Sequence, residues 1–236
     1  MLSTPRALLR LHIEAVWGVQ LPPITQNTVE LLREGIQPSW KLYAAEMAGE
    51  QVAIWRPDVA TSEREALLER AREALAVPPT GHVAPHISRE VALHQVASPA
   101  ISIEAAQHVA RLLTSEDQTL VDIFEPGEVG YYFHPDRRPL VGVVVNGRLL
   151  SLAHSSRRTA QACELGIDTL PEARRKGYAL AATLLWAASV TQEGLIAFYS
   201  ASAENTASLA LAAAAGYRAF ARGVTIEEEK APDVSC

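Results

Sequence analysis

The sequence predicts an α/β protein (α+β): a smaller N-terminal α/β domain over residues 1–95, followed by a larger domain over residues 96–236. Three observations carry this expectation. Apolar residues recur at helical spacing in several separate stretches, short β-rich runs lie between them, and two of those runs flank Asn146-Gly147, the dipeptide favoured in a two-residue hairpin turn. Of the 236 residues, 48% are hydrophobic and 20% charged, which is enough apolar surface for a sizeable core and excludes a disordered or fibrous chain.

In the N-terminal part, Leu8, Leu9, Leu11, Ile13, Val16 and Trp17 suit one apolar face of a helix that Pro22-Pro23 is expected to end. Residues 40–47 and 51–55 flank Ala48-Gly49-Glu50 and read as a hairpin. Ser62 and Glu65 form a Ser-x-x-Glu capping-box pair, predicting a helix from Ser62 to about Leu75. Residues 78–100, rich in Pro, His and Ser and poor in periodicity, read as a linker or domain boundary.

In the second part, residues 107–113 suit a strand, and Thr114-Ser115-Glu116-Asp117 caps a helix running to about Phe124. Residues 139–145 and 148–154 form the Asn146-Gly147 hairpin, and 160–168 a further strand. Thr169-Leu170-Pro171-Glu172 leads into a helix expected from about Ala173 to Gln192. Residues 195–200 then suit a strand, 205–215 an alanine-rich helix stopped by Gly216, and 217–222 a closing strand; the tail 227–236 is expected to fray.

Lys plus Arg number 21 against 27 Asp plus Glu, a net charge of −6, and the first 100 residues carry 9 cations and 11 anions. Neither half offers the basic footprint of a nucleic-acid or membrane-surface binder. Two cysteines, Cys163 and Cys236, make no disulfide framework, so a cytoplasmic setting is expected. No apolar run approaches the roughly 18 residues of a membrane span. His82-x-x-x-His86 has metal-like spacing, but Pro85 interrupts any regular helix and no carboxylate follows closely, so a loop and no metal are expected. The four tryptophans, Trp17, Trp40, Trp55 and Trp186, fall in apolar periodic segments and read as core.

The informative window is Asp168-Thr-Leu-Pro-Glu-Ala-Arg174-Arg175-Lys176-Gly177-Tyr178-Ala179, a strand and turn leading into a helix start that carries three consecutive cations and a glycine. Cations at a helix N-terminus oppose its dipole by roughly 0.3–1 kcal/mol each. A bound anion would offset that cost, since the first N–H groups of a helix lack intrahelical partners and glycine lets a phosphate reach the backbone.

Here the sequence resembles the GNAT superfamily of acetyl-coenzyme A dependent N-acetyltransferases. Arg174-x-x-Gly177-x-Ala179 matches its Gln/Arg-x-x-Gly-x-Gly/Ala signature, and Asn205-x-x-Ser208, continuing through Ala212 to Gly216-Tyr217, follows its downstream pattern at the usual distance. The resemblance covers roughly residues 105–222, and the stretch 164–177 is especially similar to a bacterial branch with an extra N-terminal α/β region. It implies a GNAT-like mixed, mostly antiparallel sheet flanked by helices, with acetyl-CoA as co-substrate. It also implies that Arg174 and the backbone of Arg175, Lys176, Gly177, Tyr178 and Ala179 hold the pyrophosphate. Ile167, Asp168 and Thr169 would splay from the neighbouring strand and pair with the pantetheine. Asn205 and Ser208 would contact the cofactor arm.

Acetyl transfer needs a neutral amine, hence a base, and a proton donor or other stabiliser for the departing thiolate. Glu164, ten residues before Arg174, is the base candidate, since burial beside Leu165 and Ile167 would raise its pKa; strand alternation equally allows it to face water. Many members of the superfamily carry a tyrosine seven residues after the Asn as general acid, and here that position is Ala212. Ser208, Tyr199, Ser200 and Ser202 are nearby hydroxyls, and Ser208 is taken as the catalytic candidate. The expected reaction is direct attack of a primary amine, from a small molecule or peptide, on the thioester. The alternative is a non-catalytic acyl-CoA-binding module, and a homodimer formed through the N-terminal domain is a further option.

Overall fold

Thr4 caps the first helix, α1 (Pro5–Trp17), its hydroxyl accepting the Ala7 N–H at 3.3 Å, while Pro5 occupies a position where a missing N–H costs nothing. The computed structural model describes residues 4–78 and 80–228. By its internal contacts the chain divides into two units. One takes the chain up to Ala92 with Ala201–Asn205 and the chain from Ala219 on; the other takes Leu93–Ser200 and Thr206–Arg218. The architecture is mixed α/β with mostly antiparallel strand pairing.

The first unit contains α1, β1 (Thr28–Glu30), β2 (Trp40–Met47), β3 (Glu50–Trp55), α2 (Thr61–Ala76) and most of β4 (Ile87–Gln95). Its strand order is β1-β3-β2-β10-β4, where β10 is Tyr217–Glu227. The hairpin expected at residues 48–50 joins β2 and β3 in antiparallel register, from Met47↔Glu50 to Leu42↔Trp55. Strand alternation sends Tyr43, Ala45, Val52 and Ile54 to a core with Leu9 and Ile13 of α1, and Trp40, beyond the register shift between β2 and β10, joins the same core. Leu42, Ala44, Ala53 and Trp55 pack into a second core with Leu67, Ala71 and Ala74 of α2. From Leu42 on, the two core clusters thus take alternate residues of β2 and β3.

Three sequence expectations change here. Pro22-Pro23 does not end α1, because Gly18 adopts a left-handed conformation (φ 66°) and closes the helix through its N–H to Glu14 O at 3.0 Å. The Ser62/Glu65 capping box is not formed. The helix already begins at Thr61, so Ser62 lies inside it, and Ala60 is the N-cap with no side-chain hydrogen bond. Residues 78–100 are not a plain linker, since β4 occupies much of them. Its apolar alternation is broken because Arg89 is buried, with Glu204 and the carbonyls of Val77, Pro78 and Gly81 as its partners.

The second unit contains α3 (Ile103–Gln107), β5 (Arg111–Leu112), a 3₁₀ turn at Ser115–Asp117, α4 (Gln118–Phe124) and α5 (Val129–Tyr132). The hairpin of β6 (Val141–Val145) and β7 (Arg148–Arg158) follows, then β8 (Ala162–Thr169), α6 (Tyr178–Gln192), β9 (Ile196–Ser202) and α7 (Thr206–Ala214). Its strand order is β9-β8-β7-β6-β5; β9 and β10 each carry residues of both units. Asn146 (φ 51°) and Gly147 (φ 75°) make the β6–β7 turn, as the dipeptide predicts. The 107–113 strand shrinks to Arg111–Leu112, because Ser102 caps α3 through its hydroxyl to the Ala105 N–H and residues 103–107 coil. Thr114 and Asp117 do form a capping box, and α4 follows it.

One face of this unit's sheet packs Leu113, Val121, Tyr132, Leu149 and Leu152 together. On the other, α6 is buried almost all round, with Trp186 Nε1 donating to Ser155 Oγ at 3.2 Å. Alanines 181, 182 and 187 are the residues that let α6 approach the sheet closely. Trp40, Trp55 and Trp186 are buried, as their periodic settings predict, and Trp17 packs against the α1-side core.

Candidate active site

Strands β8 and β9 run parallel, as a helical crossover through α6 allows. Their register is Ala162↔Ile196, Cys163↔Ala197, Glu164↔Phe198, and there it stops, although β8 continues to Thr169 and β9 to Ser202. The strands fork after Glu164. On its other side β8 stays paired to β7 as far as Ser151↔Thr169, where Ser151 Oγ lies 2.7 Å from Thr169 Oγ1 and donates to Asp168 O at 3.1 Å. Ile167, Asp168 and Thr169 are therefore held from behind, along a strand whose β9-facing edge has no register partner. Partial desolvation of the Asp168 carboxyl, with the nearby Glu125 carboxylate second, raises its pKa.

The fork has a wedge. Glu164 is 4% exposed, and its Oε1 accepts both the backbone N–H of Ser200 at 2.6 Å and the Ser200 hydroxyl at 2.8 Å. Two residues beyond the last register pair, a carboxylate takes the N–H that a continued ladder would use. Of the two faces open to Glu164 in a strand, the structure selects the buried one.

Beyond Thr169 a 3₁₀ turn at Pro171–Ala173 leads to four exposed residues, Arg174 to Gly177, and α6 starts at Tyr178. The three cations thus do not stand in the helix's first turn; they form the loop before it, because Arg175 (φ 61°) and Gly177 (φ 78°) both take left-handed conformations that a helix excludes. A positive φ at a non-glycine residue costs of order 1 kcal/mol and marks a place worth a functional explanation. Gly177 is the N-cap of α6, no side chain caps the helix and no acidic residue occupies its first turn. An added Cβ on Gly177 would meet nothing within 4 Å. The loop is a cationic, exposed cradle of backbone amides at a helix N-terminus, the arrangement that binds phosphate groups.

Ser208 lies on α7 and is half-buried, and its Oγ is 2.8 Å from the hydroxyl of Tyr199 on β9. Tyr199 and Tyr217 are almost fully buried, their rings 5.5 Å apart, and burial raises both phenol pKa values, with the Glu164 carboxylate contributing to each. Ala212, one turn after Ser208, is fully buried. Asn205 directly precedes α7, is exposed, falls in the first unit, and donates its backbone N–H to Ser202 O at 2.9 Å.

One residue that sequence reasoning missed is His154. It stands opposite Gly166 on β8, is 4% exposed, and packs edge-on to Tyr131 and Tyr132 at ring distances of 5.6 and 5.1 Å. Burial, with the Arg137 charge adding to it, pushes its pKa down to about 4. Only the pairing of β7 with β8 brings it there. His82 and His86 lie in a loop, and among the described residues no group of three or more His, Cys, Asp or Glu side chains could hold a metal ion. Among the same residues no helix is long and apolar enough to cross a membrane.

A strand fork followed by an uncapped, cationic helix N-terminus is an arrangement that can hold a phosphorylated ligand beside an open strand edge. Residues 141–222 match the family model described as GNAT acetyltransferase, so this stretch is similar to that family. Among solved structures, the chain is similar to a GCN5-related N-acetyltransferase from Sphaerobacter thermophilus (14% identity, TM-score 0.55, covering 86% of this chain and 85% of that one). It is also similar to a GNAT-family acetyltransferase from Colwellia psychrerythraea (15% identity, TM-score 0.52, 85% and 78%). At these identities the likeness is one of fold. No curated protein matches the sequence.

Proposed function

We propose that this protein is an N-acetyltransferase that moves the acetyl group of acetyl-CoA to a primary amine by direct attack. The observation that carries the proposal is the fork after Glu164↔Phe198 followed by the cradle at Arg174–Ala179. The residues fit the donor. The cradle offers uncapped N–H groups and three cations to a pyrophosphate, and the β9-facing edge of residues 165–169 offers strand hydrogen bonds to an extended pantetheine arm. Bound acetyl-CoA would supply an activated acyl group.

The chain's own residues then do three things. Arg174 and the amides of Arg175 to Ala179 fix the donor, and the backbone of Ile167, Asp168 and Thr169 aligns it in the gap. Ser208, on α7, contacts the arm. The proton of the attacking amine passes to Ser200 Oγ and on to Glu164, which is buried and bonded to that hydroxyl at 2.8 Å. Glu164 thus acts as base from behind Ser200, whose half-buried side chain is the one the acceptor reaches. The acceptor is a small-molecule or peptide amine.

Isothermal titration of the protein with acetyl-CoA tests the donor, with binding expected; no binding overturns the proposal. A thiol-release assay over a panel of amines tests transfer. The second reading, an acyl-CoA-binding module without catalysis, is favoured by the fully buried Ala212, which offers no hydroxyl where the resemblance implies a tyrosine. It predicts binding with no thiol release from any amine.

A further inference from the structure

Expulsion of a thiolate into a water-poor gap needs a hydrogen-bond donor aimed at the sulfur. In the second unit four hydroxyls on or beside β9, those of Ser200, Tyr199, Ser208 and Tyr217, divide by partner. Ser200 Oγ is committed to Glu164 at 2.8 Å, on the base side of the reaction. Tyr217, 1% exposed, has a buried hydroxyl with no hydrogen-bond partner among the described residues. Tyr199 Oη and Ser208 Oγ are bonded to each other at 2.8 Å, the first 2% exposed and the second half-buried.

That pairing joins β9 to α7. Tyr199 is the first residue of β9 past the last register pair with β8, so it sits where the gap opens. Ser208 and Ala212 are four apart on α7 and share a helix face. The side chain at 212 is a single methyl group, and the phenol on that face comes from the strand instead.

We propose that Ser208 and Tyr199 form a two-hydroxyl relay that serves as the general acid: Ser208 donates to the departing sulfur and Tyr199, bonded behind it, positions and resupplies Ser208. This rests on the acetyltransferase reading. In the transfer, the amine nitrogen forms the new C–N bond, and the C–S bond breaks with its electron pair going to sulfur. The amine proton leaves through Ser200 to Glu164. Ser208 gives its proton to sulfur and takes that of Tyr199, and solvent afterwards returns one proton to Tyr199 while Glu164 releases one. Burial keeps Tyr199 a neutral phenol, which is the form that can donate. Tyr217, packed against Tyr199 with a neutral phenol of its own, is a buried donor beside the relay.

The test is the titration of coenzyme A bound to the full-length protein, followed by thiolate ultraviolet absorbance, for wild type, Tyr199→Phe, Ser208→Ala and the double variant. A hydroxyl donating to sulfur stabilises the thiolate, so each single variant should raise the apparent pKa of the bound thiol by roughly one unit, or tenfold in its acidity. The double variant should match the single ones, because the two hydroxyls act as one unit. Turnover with acetyl-CoA should fall by roughly 10–100-fold in Tyr199→Phe, and far less with a thioester of an acidic aromatic thiol. If coenzyme A binds and its thiol titrates identically in wild type and both single variants, the relay is wrong while the acetyltransferase reading stands. If wild-type protein binds no coenzyme A, both fall.

Discussion

Glu164 Oε1 accepts two hydrogen bonds from one residue, the backbone N–H and the hydroxyl of Ser200, at 2.6 and 2.8 Å. The carboxylate closes the paired part of β8 and β9 and opens the unpaired part. Strand pairing and the proposed proton transfer therefore meet at this one contact, and substitution there has separable consequences.

Glu164→Ala leaves the Ser200 N–H buried without its acceptor, which costs about 1–3 kcal/mol of stability. Glu164→Gln keeps an acceptor oxygen, so it should unfold within about 1 kcal/mol of wild type while losing the base. Urea unfolding read beside acetyl transfer separates the two roles. A Glu164→Gln protein with unchanged rate and pH profile would remove Glu164 from proton transfer and leave it only the wedge.

Gly177 separates fold from binding in the opposite way. Its φ of 78° strains any L residue, yet an added methyl meets nothing within 4 Å. Gly177→Ala should therefore lower stability by only about 1 kcal/mol. The same methyl would take up space that a phosphate approaching the Gly177 backbone needs, and acetyl-CoA affinity should drop by roughly tenfold or more. Calorimetric binding and thermal unfolding on one sample check both numbers; unchanged affinity would move the phosphate site elsewhere.

His154 gives a pH signature. Its pKa is pushed down to about 4 from an ordinary value of 6.5, by burial first and by Arg137 second. The unfolded chain takes a proton on this imidazole as pH falls through 6.5, and the folded chain does so only near 4. The neutral ring's contribution is complete above pH 6.5 and is lost between there and pH 4, by roughly 3 kcal/mol. His154→Gln should flatten the stability curve in that window, measured by urea titration at pH 7.5 and 4.5, and an unchanged slope would assign the acid sensitivity to other groups.

Gly223 on β10 is fixed by its neighbours in the first unit. Tyr43 donates its hydroxyl to Glu90 Oε1 at 2.6 Å, and His12 Nε2 lies 3.1 Å from the same oxygen. A Cβ at 223 would fall 2.2 Å from Tyr43 Oη and 3.1 Å from Glu90 Cγ. Gly223→Ala should thus cost about 2–4 kcal/mol through overpacking and the broken hydrogen bond. Adding Tyr43→Phe removes the nearer clashing oxygen and leaves ring Cζ at 2.6 Å, so the double variant should be partly relieved and more stable than the sum of the two single effects predicts. Additive effects would refute the contact.

Much of the fold was legible because the signals are local. The Asn146-Gly147 turn, the Thr114/Asp117 box and the Gly216 stop each act over a few residues, and the structure carries all three features. The α1 stop at Gly18, the Thr61 start of α2 and the strand at Ile87–Gln95 were not legible. A glycine's φ and the burial of Arg89 beside Glu204 depend on what the chain meets elsewhere.

The candidate site divides along the same line. Sequence alone determined that residues 174–179 hold cations and glycine after a strand, since adjacent residues must lie together whatever the fold. It also determined that position 212 carries no hydroxyl. Only the tertiary structure decided that the cations form a loop ahead of α6, that Glu164 turns inward to Ser200, and that Tyr199 meets Ser208. Those pairings join residues 36 and 9 positions apart. Strand alternation leaves each side chain two faces, and packing between elements selects one.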